Sequence, residues 1–257
     1  MKKVEDKIVE LESMKNYPNQ LYFTGNLELL KRVKISIVGS RKPSKYSRLI
    51  THKLASSLYK NGVCIVSGGA MGIDAIAHKS AGVSNTICVL PCGINIKYPA
   101  INKNLLVDIE KSGLLISQFE KDFRATPWSF VVRNEVVVAL GEVLVVIEAE
   151  LNSGSMRSIE LALKMGKEIF VIPHRMGESE GTNELLKSLK AKAIYDIDEF
   201  VSRFASRDIL ENKVDDFIEF CKTNPTYELA LKEYPQRVFE AELSGEIIIQ
   251  NGRVITA

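Results

Sequence analysis

Two short stretches in the first third of the chain combine glycine with hydroxyl or basic side chains. They are Gly39-Ser-Arg-Lys-Pro-Ser44 and Ser67-Gly-Gly-Ala-Met-Gly-Ile-Asp74. Each follows a run of β-branched apolar residues and precedes a helical pattern, so each predicts a strand, a tight turn and a helix N-terminus. Backbone N–H groups and the helix dipole favour an anion at such a turn. The alternative is a turn that binds nothing, and one stretch alone does not decide between the two.

Neither stretch has the pattern of a known nucleotide-binding loop. The first does not fit the dinucleotide pattern G-x-G-x-x-G, and Ser67 to Gly69 occupy the place where a dehydrogenase holds the ribose with an acid. The chain also lacks the Walker A sequence G-x-x-x-x-G-K-[ST]. NAD binding and ATP hydrolysis are therefore not expected, and neither is any other cofactor or a metal.

Apolar periodicity predicts alternating strands and helices along most of the chain. The predicted strands are 34–38, 63–66, 86–90, 113–117, 143–147 and 168–172. The predicted helices are 46–60, 72–81, 102–111, 128–140, 155–165 and 183–190. This alternation predicts an α/β fold, an extended Rossmann-like, mostly parallel sheet with helices on both faces. Ligands of such sheets bind at the carboxyl ends of the strands, which places both glycine turns on one rim.

The N-terminal part differs from this alternating core. Residues 1–20 are expected to form a short extension, with a weakly supported helix within 1–16 and an irregular loop over 17–26. The core domain is expected over residues 21–205, where the β/α alternation ends.

The C-terminal domain is expected over residues 206–257. Apolar spacing predicts helices at about 209–221, 227–234 and 237–243. Asn251-Gly252 between two β-branched runs predicts a hairpin. Helices followed by a hairpin indicate a small winged-helix-like module.

Charge is unevenly distributed along the 257 residues, although the net charge is only +2. The span between Leu29 and Ile73 contains nine Lys or Arg residues and no Asp or Glu. Residues 196–257 carry thirteen acids and seven bases, a net of −6. A basic span beside two phosphate-type turns favours a polyanion as ligand. The acidic tail would repel DNA, so a protein–protein role is expected there.

The remaining composition indicates a cytoplasmic protein that does not enter a membrane. The N-terminal residues have no apolar signal-peptide core, and no apolar run reaches the roughly 20 residues of a membrane span. The four cysteines (Cys64, Cys88, Cys92 and Cys221) have no metal-site spacing, so we expect reduced structural thiols.

Five motifs in register resemble the DNA-processing protein A family of bacteria (DprA, also called Smf). They are Val38-Gly-Ser-Arg41; Ser67 to Asp74 with Ala77-His78; Tyr98-Pro99 with Asn102; Phe130-x-x-Arg-Asn134; and Ser153-Gly-Ser155 followed by Val171-x-Pro173. The resemblance covers about residues 20–200. It implies a Rossmann-type domain that binds and protects single-stranded DNA without sequence preference. It also implies a homodimer that loads a RecA-type recombinase during natural transformation. The family is not known as an enzyme, so no catalytic residue is expected.

The chain departs from the family pattern at three places. The usual Arg-Asn-Arg is Arg133-Asn134-Glu135 here, which makes the third position a doubtful DNA contact. The usual Gly-Ser-Leu-Ile-Thr is Gly154-Ser-Met-Arg-Ser158, and the usual Pro-Gly is Pro173-His174.

The residues expected to contact DNA or its phosphates combine charge, hydroxyl groups and glycine backbone. They are Gly39, Ser40, Arg41, Lys42, Ser67, Gly68, Gly69, Lys121, Phe123, Arg133, Asn134 and Ser155. Among them Arg41 is expected to project over the rim and hold a phosphate with its planar fork. Arg133 either binds phosphate or braces the glycine loops through their carbonyls.

Aromatic and acid–base groups near the rim have two interpretations each. Phe123 could be a platform for base stacking or a packed side chain, whereas Trp128 and Phe130 are expected to pack in the core. Asp74 and His78 share a helical face, and we expect a capping acid and a structural histidine rather than an acid–base pair.

Two other functions stay open at this point. Gly154 to Glu160 faintly resembles the motif of lysine-decarboxylase-like nucleotide phosphoribohydrolases, in which Glu160 would act on a ribosyl bond. The chain could also be an interaction scaffold whose acidic tail is the active part. Removing residues 207–257 separates the scaffold from the DNA interpretation.

Overall fold

The computed structural model describes residues 2–205 and 216–256. The chain divides into two compact units, Met1–Ser206 and Arg207–Ala257. Each unit is described by itself below.

The first unit is built on a nine-stranded sheet. Its strands are β1 Lys2–Lys3, β2 Tyr22–Gly25, β3 Lys34–Val38, β4 Cys64–Ser67, β5 Thr86–Leu90, β6 Leu114–Ser117, β7 Val143–Val146, β8 Glu168–Val171 and β9 Lys192–Ala193. Their order is β1-β2-β6-β5-β4-β3-β7-β8-β9. Strands β3 to β9 pair in parallel, and only β1 and β2 pair antiparallel to their neighbours. The predicted mostly parallel α/β sheet is confirmed.

Seven α-helices connect or follow these strands. They are α1 Lys45–Lys60, α2 Ile73–Ser80, α3 Lys103–Ser112, α4 Pro127–Leu140, α5 Gly154–Lys164, α6 Glu180–Lys187 and α7 Ile197–Ser202. Sequence patterns miss α7, which begins where Asp196 caps the N–H groups of Asp198 and Glu199. Phe200 and Val201 of α7 are buried, so the apolar core extends to this point.

Side-chain alternation along the central strands assigns the helices to the two faces of the sheet. Ile35 and Ile37 of β3 belong to one core, which they share with Leu54 of α1 and Ala77 of α2. Val38 belongs to the opposite core, which is covered by apolar residues of α4 and α5. Strands buried on both faces are rich in apolar residues, and every residue of β3 is buried although Lys34 and Ser36 are polar.

The N-terminal segment is more tightly held than the sequence indicates. Its helix is only a 3₁₀ turn over Val9–Ser13, but Leu11 is fully buried in the core. Glu10 pairs with the buried Lys34 ammonium at 2.5 Å. The expectation of weak tertiary support is therefore wrong. The expected loop over 17–26 is also partly wrong, because it contains strand β2.

The second unit contains three described helices and a hairpin. The helices are α8 Asp216–Cys221, α9 Tyr227–Glu233 and α10 Pro235–Ser244, and the strands are β10 Ile247–Gln250 and β11 Arg253–Thr256. Asn251 and Gly252 have positive φ angles of 52° and 72°, as the predicted hairpin turn requires. The start of the helix predicted at 209–221 lies outside the described residues. The winged-helix-like assignment stays a prediction.

Within residues 2–205 and 216–256, no helix combines the length and apolarity that crossing a membrane requires.

Candidate nucleic-acid interface

The two glycine turns lie side by side at the carboxyl ends of β3 and β4. The Ile73 N–H donates to the Ser40 carbonyl at 3.1 Å, which ties the start of α2 to the first turn. Gly72 has a φ of 78°, and a Cβ there would overlap the main chain of Ser40 and Arg41. A Cβ at Gly39 would lie 2.7 Å from the Ile73 side chain. Glycine at these positions is therefore required by the close packing of the two turns.

The second turn already holds a carboxyl group of the chain itself. The carboxyl of Asp74 accepts the Ala70 N–H at 3.2 Å. Burial raises the pKa of Asp74, while the Arg133 guanidinium and the backbone of Ala70 and Gly68 oppose that shift. Ser67 donates its hydroxyl to the Ile37 carbonyl at 2.6 Å. Phosphate binding by Ser67, Gly68 and Gly69 stays a prediction, and a phosphate at Gly68 would compete with Asp74.

The first turn is closed in a similar way by Glu148, which follows β7. Its carboxylate accepts the Ser44 N–H at 2.9 Å, at the N-terminus of α1. Partial burial alone would raise the pKa of Glu148, but hydrogen bonds from Ser47, Ser44 and Ser40 outweigh it and lower the pKa. The Ser40 hydroxyl, expected to contact a phosphate, lies close to Glu148 and accepts the Lys42 N–H at 3.1 Å.

Arg133 lies beneath the second turn and is only 4% exposed. Its guanidinium donates to the carbonyls of Gly68 and Val89, the latter at 3.1 Å. A side chain at Gly68 would overlap that guanidinium. The structure therefore places Arg133 as a brace of the glycine turn, and a phosphate contact by Arg133 stays a prediction.

Arg41 has the opposite environment. It is exposed, and its guanidinium lies 5.8 Å from the centre of the Phe130 ring. Across the described residues, no hydrogen bond or ion pair engages this guanidinium. Phe130 also meets Tyr98 edge-on at 5.8 Å. Arg41, Gly68, Tyr98, Phe130 and Arg133 together line one cavity at the rim.

A second cavity brings the other aromatic residues together. It is lined by residues 118–123, which include Phe119, Lys121 and Phe123, and by Gln20 and Trp128. Phe119 and Phe123 stack with centroids 4.6 Å apart, and Phe119 meets Trp128 edge-on at 5.7 Å. Trp128 is 62% exposed, so the expectation that it packs in the core is wrong. Phe130 is half-buried and lines the first cavity instead.

The remaining predicted site residues are dispersed. Lys42 is exposed beside Arg41, with its N–H bonded to the Ser40 hydroxyl at 3.1 Å. Asn134 is half-buried in α4, and Ser155 is buried in the first turn of α5. Neither lines the cavity at Arg41.

Other motif residues have structural partners. Glu135, where the family has a base, accepts the Lys15 N–H at 3.3 Å and so holds the N-terminal segment. Asn102 donates to the carbonyls of Gly69 and Ala70, both at 3.0 Å, which fixes the second turn from the side of α3.

His78 does not form an acid–base pair with Asp74. Its Nδ1 lies 2.5 Å from the Thr86 hydroxyl, and the ring is fully buried. Burial lowers the pKa of His78 to about 3, with a further contribution from Arg133. Glu160 of the phosphoribohydrolase alternative is exposed on α5, roughly 9 Å along the helix axis from its start.

Sequence reasoning missed Tyr98 and Met71 as cavity residues and Glu148 as the cap of the first turn. Tyr98 belongs to the motif Tyr98-Pro99 with Asn102, so the sequence contained a signal that could have placed it at the rim. Glu148 lies 104 residues from its partner Ser44, and only the pairing of β3 with β7 brings them together.

Comparisons with known proteins agree with this architecture. The family model for DNA recombination-mediator protein A matches residues 6–205. Protein Smf of Escherichia coli is 36% identical over 185 residues, which cover 69% of this chain and 49% of that one. DNA processing protein DprA of Streptococcus pneumoniae is 34% identical over 182 residues, which cover 69% of this chain and 64% of that one. The chain thus spans about half to two thirds of the length of these curated relatives.

A solved structure shows the same fold. DNA processing protein A from Helicobacter pylori, described for its unique single-stranded DNA binding mode, has 41% sequence identity and a TM-score of 0.77. The likeness covers 79% of this chain and 94% of that one. The extended Rossmann-like assignment and the family resemblance are confirmed, and the chain belongs to the DNA recombination-mediator protein A family.

Proposed function

We propose that this protein binds single-stranded DNA without sequence preference at the rim where β3 and β4 end. The observation that carries the proposal is the exposed guanidinium of Arg41, which no described residue engages in a hydrogen bond or ion pair and which lies near Phe130 in the lining of a cavity. An unpaired arginine fork offers two parallel hydrogen bonds to a phosphate, and it needs no sequence information to do so. The H. pylori relative is described as binding single-stranded DNA, which supports the same ligand here.

The surrounding charge supports a polymeric ligand rather than a single phosphate. Residues 30–72 contain no acid, and Lys42, Lys45 and Lys53 are exposed among them. The N–H groups of Ala70 and Ser44 are already bonded to Asp74 and Glu148. The exposed lysines can attract a backbone of many phosphates over a long range, and Arg41 can then contact one of these phosphates.

Base stacking would complete the interface at the second cavity. Trp128 is exposed there, and Lys121 is an exposed cation beside Phe123. Aromatic platforms next to cations bind single strands with little sequence preference, because every base has a π-face.

The proposal is tested by fluorescence anisotropy with labelled oligo-dT as a function of salt. The native protein should bind tightly at low salt, prefer the single strand over duplex, and weaken steadily as salt rises. Arg41→Ala should lose most of this affinity and reduce the slope of log K against log[salt] by about 0.7, the loss of one phosphate contact. The control is Lys60→Ala, which removes the same charge at the last residue of α1, about 22 Å along the helix axis from its first residue, Lys45. No binding of oligo-dT by the native protein at low salt would refute the proposal.

We further propose the division of labour that the family implies. Residues 21–205 form the DNA-binding domain after the short extension 1–20, and residues 206–257 form a winged-helix-like module. The proposed assembly is a cytoplasmic homodimer that protects the strand and loads a RecA-type recombinase on it. Light scattering tests the dimer, and the rate of strand exchange by the recombinase on protein-coated DNA tests the loading. Core DNA binding should survive removal of residues 207–257, whereas an acidic scaffold would lose its function.

A further inference from the structure

Glu148 holds the loop that carries Arg41, although the two residues lie on different elements. The Glu148 carboxylate accepts the Ser44 N–H at 2.9 Å, and the nearby hydroxyls of Ser40 and Ser47 contribute to lowering its pKa. These partners lie on both sides of Arg41 in the chain. A single carboxylate therefore holds the end of the loop at the N-terminus of α1 and lies close to the start of the loop at Ser40.

The main chain around Arg41 is tied at further points that depend on the same serine. The Lys42 N–H donates to the Ser40 hydroxyl at 3.1 Å, and the Ile73 N–H donates to the Ser40 carbonyl at 3.1 Å. Ser40 thus joins Lys42 and Ile73 in one network, close to the Glu148 carboxylate. The Arg41 side chain projects from a backbone that is held immediately before and after it.

The negative charge of Glu148 allows two opposite effects on DNA affinity to be distinguished. Its hydrogen bonds lower the pKa of the carboxyl group, so it is ionised at neutral pH. A carboxylate near a DNA-binding arginine repels phosphate, and its removal by itself should strengthen binding. Through its effect on the orientation of Arg41, Glu148 should instead strengthen DNA binding. A guanidinium that is already in place loses less conformational freedom when it binds.

We propose that Glu148 is a positioning residue for single-stranded DNA binding, which acts by holding Arg41 over the rim. The inference rests on the proposed function and deepens it. Glu148 contributes through order in the Ser40–Ser44 loop, and this contribution exceeds its repulsion of the phosphate backbone.

The test measures oligo-dT affinity for Glu148→Ala, Glu148→Gln and a control, Glu150→Ala. Glu150 is an exposed acid on the same loop, so its removal deletes the same charge. Glu148→Ala should bind about tenfold more weakly, the size of an ordinary coupling between contacting groups. Glu148→Gln keeps a side-chain carbonyl for the Ser44 N–H and should lose less. Glu150→Ala should bind as the native protein does or slightly more tightly.

A double-mutant cycle with Arg41→Ala shows whether Glu148 acts through Arg41. The Glu148→Ala effect should vanish in the Arg41→Ala background, which a general loss of stability would not produce. Equal losses in both backgrounds, or tighter binding by both Glu148 variants, would overturn the inference. Should the native protein not bind oligo-dT, the proposed function fails by itself. Hydrogen exchange of the 39–48 peptide then decides the positioning role, which predicts faster exchange in Glu148→Ala than in Glu150→Ala.

Discussion

The guanidinium of Arg133 donates to the carbonyl of Gly68. A Cβ at position 68 would overlap this guanidinium, so any residue with a side chain there would displace the arginine. The contact joins the middle of α4 to the turn after β4. The two arginines of the rim therefore differ: Arg133 is buried and hydrogen-bonded, whereas Arg41 is exposed and has no hydrogen bond or ion pair to any residue that the structure describes.

Arg133→Ala should therefore destabilise the protein strongly. The substitution leaves the Gly68 and Val89 carbonyls without their buried partner, at about 1–3 kcal/mol for each unsatisfied group. Urea denaturation of the full chain measures the loss. Arg41→Ala is the matched control and should change the unfolding free energy by no more than about 0.5 kcal/mol. If Arg133→Ala is as stable as the native protein but loses DNA affinity, Arg133 is a phosphate ligand instead.

The second cavity predicts an optical signal. Trp128 is the single tryptophan of the chain and is exposed beside Phe119. Oligo-dT should quench its fluorescence, and Phe123→Ala should weaken binding by about 1–3 kcal/mol if a base stacks there. Phe239→Ala, at a phenylalanine 54% exposed in the second unit, should leave the affinity unchanged. Normal binding by Phe123→Ala would remove the second cavity from the DNA path.

Strand pairing and burial explain how far the sequence predicts this fold. The β3 and β5 strands were predicted with their observed bounds, because every residue of both strands is buried and most of them are apolar. Strand β1 was missed because both its residues are exposed lysines at the sheet edge. The apolar pattern of neighbouring residues cannot indicate such an edge strand, because β1 forms only by pairing with β2.

In the candidate site, too, some features could be predicted from the sequence and others depend on contacts formed only on folding. The position of Arg41 on the rim follows from strand order, so it was predictable. The roles of Asp74 and Glu148 depend on which N–H groups they meet after folding. Glu148 in particular reaches the first turn only through a neighbouring strand, and no spacing in the sequence indicates it.

The N-terminal segment gives a prediction about stability. Leu11 is fully buried in the core shared with α4, whereas Val9 in the same 3₁₀ turn is 72% exposed. Leu11→Ala should cost about 2–5 kcal/mol of unfolding free energy, the range for a buried leucine. Val9→Ala should cost less than about 0.5 kcal/mol. Equal denaturation midpoints for the two variants would show that the segment does not support the core.

His78 predicts acid sensitivity with a defined sign. Its pKa is about 3 in the folded protein, where burial keeps the ring neutral, against the ordinary 6.5 of an exposed ring. The unfolded chain therefore binds a proton that the folded chain does not. The stabilising contribution is complete above pH 6.5 and is lost as the pH falls toward 3, at up to about 1.4 kcal/mol per pH unit.

Denaturation of His78→Gln between pH 7 and pH 4 measures this contribution. The variant should lose less stability on acidification than the native protein does, because the glutamine does not titrate. His52→Gln, at an exposed histidine, should follow the native profile. Parallel profiles for the native protein and His78→Gln would show that His78 is not the source of acid sensitivity.

The two carboxyl groups within the glycine turns have a consequence for the kind of DNA molecule that the proposed interface would bind. Asp74 and Glu148 each accept one N–H of the turns, those of Ala70 and Ser44, and such N–H groups are what a phosphate-binding loop offers to a terminal phosphomonoester. The exposed Arg41 cation can meet internal phosphodiesters equally well anywhere along a strand. Recognition by such a rim is independent of strand ends, and we expect a closed single-stranded circle to bind as tightly as a linear strand of equal length.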